Sequence, residues 1–137
     1  MKRIVLISCV SKKLPYKSKA KDLYTTSPWF KLSYKYAVSL SSDKIFILSA
    51  KYGLLNPEQE IEPYNETLNT KSTQEIKDWA QEVIIDLKKQ TDLGKDEFIF
   101  LAGTKYRKFL ILHIKNYKIP MQGLTIGRQL SFLKKQF

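Results

Sequence analysis

Ile4-Val5-Leu6-Ile7, running into Ser8-Cys9-Val10-Ser11-Lys12-Lys13, is the stretch on which the fold turns. A short, unalternating, β-rich apolar run reads as a strand buried on both faces. The pattern returns twice. Ile45–Leu48 runs into Ser49-Ala50-Lys51-Tyr52-Gly53-Leu54, and Phe98–Leu101 runs into Ala102-Gly103-Thr104-Lys105-Tyr106-Arg107. Helical periodicities separate these runs, so the chain reads as strand and helix repeated. In open parallel sheets ligands bind in the crevice beyond the carboxyl ends of the strands. Three small, polar, lysine-bearing segments at those ends therefore point to one basic site lined with hydroxyls and tyrosines.

The helices carry their own signals. Ser27-Pro28 pairs an N-cap residue with proline at the first helical position. From there Trp29, Leu32, Ser33, Tyr36, Ala37 and Leu40 recur at helical spacing and predict a buried face. Ser72-Thr73-Gln74-Glu75 reads as a capping box opening a helix that buries Ile76, Trp79, Ala80, Val83, Ile84 and Leu87. A third helix is expected over Lys105–Lys115 and a terminal one over Ile126–Phe137. Strands are expected at Lys2–Ile7, Lys44–Leu48, Glu97–Leu101 and Ile119–Met121. With right-handed crossovers these elements predict one α/β domain over residues 1–137. Its expected form is a three-layer α/β/α sandwich around a short, mainly parallel four-stranded sheet. Two connections, residues 8–26 and 49–71, are long enough to suggest function.

Composition narrows the partner. The net charge is +11, unevenly spread: residues 1–35 hold nine Lys/Arg against one acid, and residues 104–137 hold eight against none. Residues 36–103 hold seven against twelve acids. Such a field attracts a polyanion, so nucleic acid or a nucleotide is the expected partner. One cysteine and one histidine exclude a disulfide framework and a Cys/His zinc site. No run approaches transmembrane length and no signal peptide is recognisable, so a cytoplasmic setting without a membrane partner is expected.

The first loop offers Ser8, Cys9, Ser11, Lys12, Lys13 and Tyr24 for binding phosphate or base. It lacks the glycine spacing of a Walker or dinucleotide loop, and no cofactor or metal is expected. Cys9 precedes lysines that lower a thiol pKa, but the lone His113 lies far along the chain, so Cys9 reads as structural rather than nucleophilic. The second loop offers Ser49, Lys51, Tyr52, Gly53 and Tyr64, the tyrosines being flat surfaces on which a base stacks. Glu62, Glu66 and Asp22 are the candidate catalytic carboxylates. Gly103, Tyr106 and Arg107 follow the third strand, and Arg128 and Gln129 open the tail helix.

Taken in order, Ser8-Cys9 with Ser11-Lys12-Lys13, Ala20–Tyr24 with Ser27-Pro28, Leu48–Leu54, Pro63-Tyr64 with Thr67-Leu68, Leu101–Gly103 with Tyr106-Arg107, and Gly123-Leu124 with Gly127-Arg128-Gln129 resemble the YaaA-like family, named for a peroxide-stress protein. The resemblance covers nearly the whole chain. A weaker similarity runs to a uracil-DNA-glycosylase-like domain of archaeosine tRNA-modification enzymes. It implies recognition of a nucleobase in nucleic acid, with N-glycosidase or base-exchange chemistry. Where relatives often carry aspartate after the Pro-Tyr pair, this chain has Asn65, which leaves Glu66, Glu62 or Asp22 to act. Two other classes stay open: a non-catalytic DNA- or RNA-binding protein of the same fold, and an enzyme acting on small nucleotides.

Overall fold

The computed structural model describes all of residues 1–137. In chain order its elements are β1 (Arg3–Ser8), β2 (Ser18–Lys19), α1 (Ala20–Leu23), α2 (Pro28–Ser39), β3 (Lys44–Ser49), β4 (Gly53–Leu55), β5 (Glu60–Ile61), α3 (Thr73–Gln90), β6 (Glu97–Leu101), α4 (Thr104–Arg107), β7 (Asn116–Lys118) and α5 (Ile126–Lys134). The main sheet has five strands in the order β4-β3-β1-β6-β7, not the four expected. β1 lies at its centre, parallel to β3 from Ile4↔Lys44 to Ser8↔Leu48 and to β6 from Arg3↔Glu97 to Ile7↔Leu101. Ile4, Val5, Leu6 and Ile7 are all fully buried, which is why the run carries no polar alternation.

The two edge strands are where expectation and structure part. Gly53 adopts φ +74°, the left-handed conformation that suits glycine, and the chain doubles back so that β4 pairs antiparallel with β3. At the other edge β7 occupies Asn116–Lys118 rather than Ile119–Met121. All three of its residues are exposed, so no apolar pattern marks it, and Pro120 lacks the N–H a ladder needs. A separate two-stranded ribbon joins the long connections, with Ser18 opposite Ile61 and Lys19 opposite Glu60.

β1 connects to β3 through α2, and β3 connects to β6 through α3. These crossovers run in opposite directions along the sheet, and right-handed connections then place α2 and α3 on opposite faces. α2 packs against α5, and α3 packs against α4. The capping box of α3 is complete, with Ser72 Oγ accepting from Glu75 N at 3.1 Å and Glu75 Oε1 accepting from Ser72 N at 3.0 Å. All six apolar positions expected of α3 are buried.

α2 begins at Ser27-Pro28 as expected, with Phe30 N donating to Ser27 Oγ at 3.3 Å. Its innermost residues are Phe30, Ser33 and Ala37. Trp29, Leu32, Tyr36 and Leu40 are half-buried against the rest of the core, and Tyr36 meets Phe132 of α5 edge to face at 5.7 Å. The helix expected over Lys105–Lys115 stops after one turn. Tighter turns follow, with Leu110 N donating to the Arg107 carbonyl and His113 N to that of Leu110, before Lys115 N is tied to the Leu93 carbonyl. α5 ends at Lys134, three residues short of the expected end.

Because Leu6 is fully buried at the centre of the sheet, Leu6→Ala is expected to lower the unfolding free energy by about 2–5 kcal/mol. Urea denaturation at constant m-value checks it.

Candidate functional site at the carboxyl edge of the sheet

β1 and β6 are neighbours whose outgoing connections diverge, β1 toward β3 and β6 toward β7. That makes their carboxyl ends the switch point of the sheet, where α/β folds open a crevice. A cleft of about 590 Å³ lies there. Ser8, Ser11 and Lys12 enter it from the end of β1, Thr104, Lys105 and Tyr106 from the end of β6, and Asn69 from the 3-10 turn Leu68–Thr70. Trp29 of α2 and Gln129 of α5 close another side, the indole Nε1 donating to Gln129 Oε1 at 2.7 Å and Gln129 Nε2 donating to the Leu124 carbonyl at 2.9 Å. Lys105 Nζ donates to the Asn69 carbonyl at 3.1 Å. No carboxylate lines the cleft.

A neighbouring pocket of about 400 Å³ shares Val10, Ser11, Asn69 and Tyr106 with the cleft and adds Cys9, Lys13, Asn65 and Glu66. Glu66 is its one carboxylate, exposed and 3.7 Å from Lys71 Nζ. The other carboxylate candidates stand elsewhere. Asp22 is exposed on α1, where its main-chain carbonyl accepts from Thr25, and Glu62 is exposed at the far side of Tyr52. Neither lines the cleft or its neighbours. No three His, Cys, Asp or Glu side chains come together as a metal cage.

Beneath the loops lies a buried chain of hydroxyls. Ser49 Oγ accepts from Lys51 N at 3.3 Å and Tyr52 N at 3.0 Å, so its own proton goes to Tyr64 Oη at 2.7 Å. Tyr64 Oη lies 2.7 Å from Tyr24 Oη, completing the chain. The Ser49 carbonyl accepts from Trp79 Nε1 at 2.8 Å. Tyr106 Oη accepts from Leu68 N and from the Cys9 thiol, both at 3.4 Å. Lys13 Nζ stands 4.4 Å from the centre of the Tyr64 ring, and burial depresses its pKa. Burial pushes the Tyr24, Tyr64 and Tyr106 hydroxyls well above the usual tyrosine range.

This arrangement reassigns several residues expected to touch a ligand. Tyr24 and Ser49 are fully buried, and Tyr64 is 8% exposed with its ring already engaged by Lys13 and the edge of Tyr52. None of the three lines the cleft. Tyr52 is half-buried, its hydroxyl 3.4 Å from the Glu62 carbonyl, and Lys51 and Gly53 belong to the β3–β4 turn. Arg128 is exposed on α5 and lies outside the cleft, while Arg107 lines a smaller cavity beside it. Trp29, Thr104 and Lys105 line the cleft without standing among the candidate residues, although Thr104 and Lys105 belong to the third strand-end segment. The helical spacing of Trp29 marks it as core, and only its position one residue beyond Ser27-Pro28 hinted at the site.

Charge follows the layers. α2 and α5 carry Lys31, Lys35, Arg128 and Lys134 with no acid, whereas α3 carries Glu75, Asp78, Glu82 and Asp86 beside Lys77, Lys88 and Lys89. Except for Asn69 and Gly103, every residue lining the cleft comes from the two basic ends of the chain.

Tyr64→Phe leaves the Ser49 hydroxyl without its buried acceptor and is expected to cost about 1–3 kcal/mol, against less than about 0.5 kcal/mol for Tyr52→Phe. The buried tyrosines stay protonated at a pH where the unfolded chain, with ordinary values near ~10, has ionised. The unfolded state then binds fewer protons, so stability falls as pH rises past that range, and Tyr64→Phe makes the fall shallower. Denaturation in urea across alkaline pH measures both effects.

No curated protein and no solved structure matches the chain. A family model does, over residues 4–135, and its description is a family of unknown function. The match spans both strand ends that build the cleft, the hydroxyl chain beneath the loops and all of α5, so the chain belongs to the family of unknown function DUF6884.

Proposed function

We propose that the switch-point cleft takes one nucleotide unit of a nucleic-acid strand and recognises its base. The observation that carries this reading is the acid-free lining contributed by both basic ends of the chain, with Lys12 and Lys105 just beyond the ends of the neighbouring strands β1 and β6. Cations, hydroxyls and a helix start gathered without a carboxylate suit a phosphate ester. A volume of about 590 Å³ lies within the usual range for a small-ligand site, about 300–1,000 Å³, and admits a base with its sugar. Trp29 supplies an aromatic wall, and Asn69 and Gln129 supply amides for a base edge. The basic α2–α5 layer beside the cleft offers a track for flanking phosphates. The resemblance to YaaA-like and glycosylase-like domains points the same way.

The reaction that fits is cleavage of the N-glycosidic bond of the bound nucleotide. The C1′–N bond breaks with its electrons leaving on the base, which takes up a proton. A water oxygen bonds to C1′ and loses its proton to a carboxylate. Glu66 fills that role in this reading, as the one carboxylate in a pocket continuous with the cleft.

Labelled single-stranded DNA, duplex DNA and tRNA titrated over a salt series, with base release followed in the same samples, test the proposal. Binding should weaken steeply with salt, and Lys12→Gln and Lys105→Gln should each lower the slope by about one. Glu66→Gln should abolish release and leave binding intact. Salt-sensitive binding that is indifferent to Glu66→Gln, with no release from any substrate, would leave a non-catalytic binding protein. Absence of binding near physiological salt would overturn the nucleic-acid reading and direct the search to free nucleotides.

A further inference from the structure

Arg107 lines a second cavity of about 340 Å³ that meets the switch-point cleft at Gly103, Thr104 and Gln129. The guanidinium is half-buried, and no Asp or Glu lines the cavity. Its one bond runs from Nη1 to the Ala102 carbonyl at 2.6 Å, which leaves the other N–H donors without a protein partner. Burial depresses its pKa, as for a cation held partly dry with no counter-charge beside it. A charge in that position is costly until an opposite charge joins it.

Among the otherwise largely apolar walls, Thr125 and Gln129 also donate. Thr125 Oγ1 accepts from Arg128 N at 3.3 Å and so keeps its own proton to give. Gln129 retains a carboxamide N–H after its bond to the Leu124 carbonyl. The threshold between cavity and cleft is Gly103, where nothing lies within 4 Å of the point a Cβ would occupy. A chain of phosphodiesters crossing that threshold meets no side chain from Gly103 itself.

We infer that the Arg107 cavity is an anion subsite for a phosphate group, taking the phosphate next along the strand from the nucleotide unit in the cleft. This rests on the proposed reading of the cleft as a nucleotide site. It implies that the ligand is a polynucleotide, since a mononucleotide fills the cleft and leaves the second cavity empty. Arg107 there is a binding residue with no part in bond breaking.

The experiment compares wild type, Arg107→Gln and Arg107→Lys, each first shown to unfold at the wild-type temperature. A nucleoside 5′-monophosphate and short single-stranded oligonucleotides are titrated over a salt series. Arg107→Gln should weaken oligonucleotide binding about tenfold and lower the salt slope by about 0.7, while mononucleotide affinity stays unchanged. Arg107→Lys should fall between, because it keeps the charge and loses the planar fork. Unchanged oligonucleotide affinity and slope in Arg107→Gln would overturn the inference. Equal losses on mononucleotide and oligonucleotide would overturn it too, by placing Arg107 in the main site. If wild type binds neither ligand, the nucleotide reading fails on its own, and inorganic phosphate followed by the amide resonances of Gly103 and Thr104 decides the subsite. Saturable shifts that vanish in Arg107→Gln would uphold an anion site, and their absence in wild type would overturn it.

Discussion

β1 is covered on both faces and paired on both edges, and much of the architecture follows from that confinement. A strand with Ile4, Val5, Leu6 and Ile7 all inaccessible to water has no polar edge left to expose, so its backbone groups must be met by strands on either side. Parallel partners demand crossovers, and crossovers carry the chain back so that each strand delivers its carboxyl end to the same edge. Ser8, Ser49 and Leu101 finish together there, and the loops that follow them have nowhere else to gather. The cleft is thus a product of burial at the centre of the sheet, and much of its lining is what the chain places just after β1 and β6.

Those apolar runs were legible because a doubly buried strand suppresses alternation, and α2 and α3 were legible because Ser27-Pro28 and Ser72 with Glu75 announce their starts. The missed strands are the ones that packing does not mark. β4 is three residues reached through a left-handed Gly53, and β7 is three exposed residues on an edge. Tyr24 and Tyr64 misled for a related reason. A tyrosine in a loop offers a ring and a hydroxyl, and which of them the fold uses depends on partners 40 and 15 residues away. Spacing along the chain carries no trace of such a pair. The candidates at the ends of β1 and β6 come together because strand order fixes their place, whereas Asp22 and Glu62 were chosen by residue type alone and lie apart from the cleft.

The two long connections hold each other in place, and this leaves their charged tips free for other uses. β2 of the first pairs with β5 of the second, Glu58 bridges Lys19 at 2.9 Å and Lys21 at 2.7 Å, and the Tyr24–Tyr64–Ser49 chain ties both loops to the end of β3. The salt bridges are exposed and contribute little to stability. The hydroxyl chain is buried, and each of its members would be expensive to leave unpaired. Together these contacts order segments that loop length alone would leave loose. Lys12 has no part in them and projects into the cleft from a fixed base.

The charge of the cleft depends equally on what its acids are doing elsewhere. Asp96 accepts from the backbone N–H groups of Lys2 and Asp92, and Glu97 pairs with Arg3 at 3.0 Å and Lys118 at 3.3 Å, all at the amino edge of the sheet. Hydrogen bonds from Asp92 and Lys2 backbone in one case, and from Arg3 in the other, hold both carboxyls below their ordinary range. Glu75 is held by the Ser72 backbone as a helix cap, and Glu58 is pulled down to about 2 by Lys21 and Lys19. Asp96 and Glu97 are thereby held in place at the starts of β1 and β6, away from the carboxyl edge. Those two charges cannot swing across to neutralise Lys12, Lys105 or Arg107, because the sheet itself stands between them, and Glu66 is the carboxylate that remains near the carboxyl edge without lining the cleft. The lining of the switch-point cleft therefore keeps Lys12 and Lys105 without a carboxylate among its walls in the folded chain.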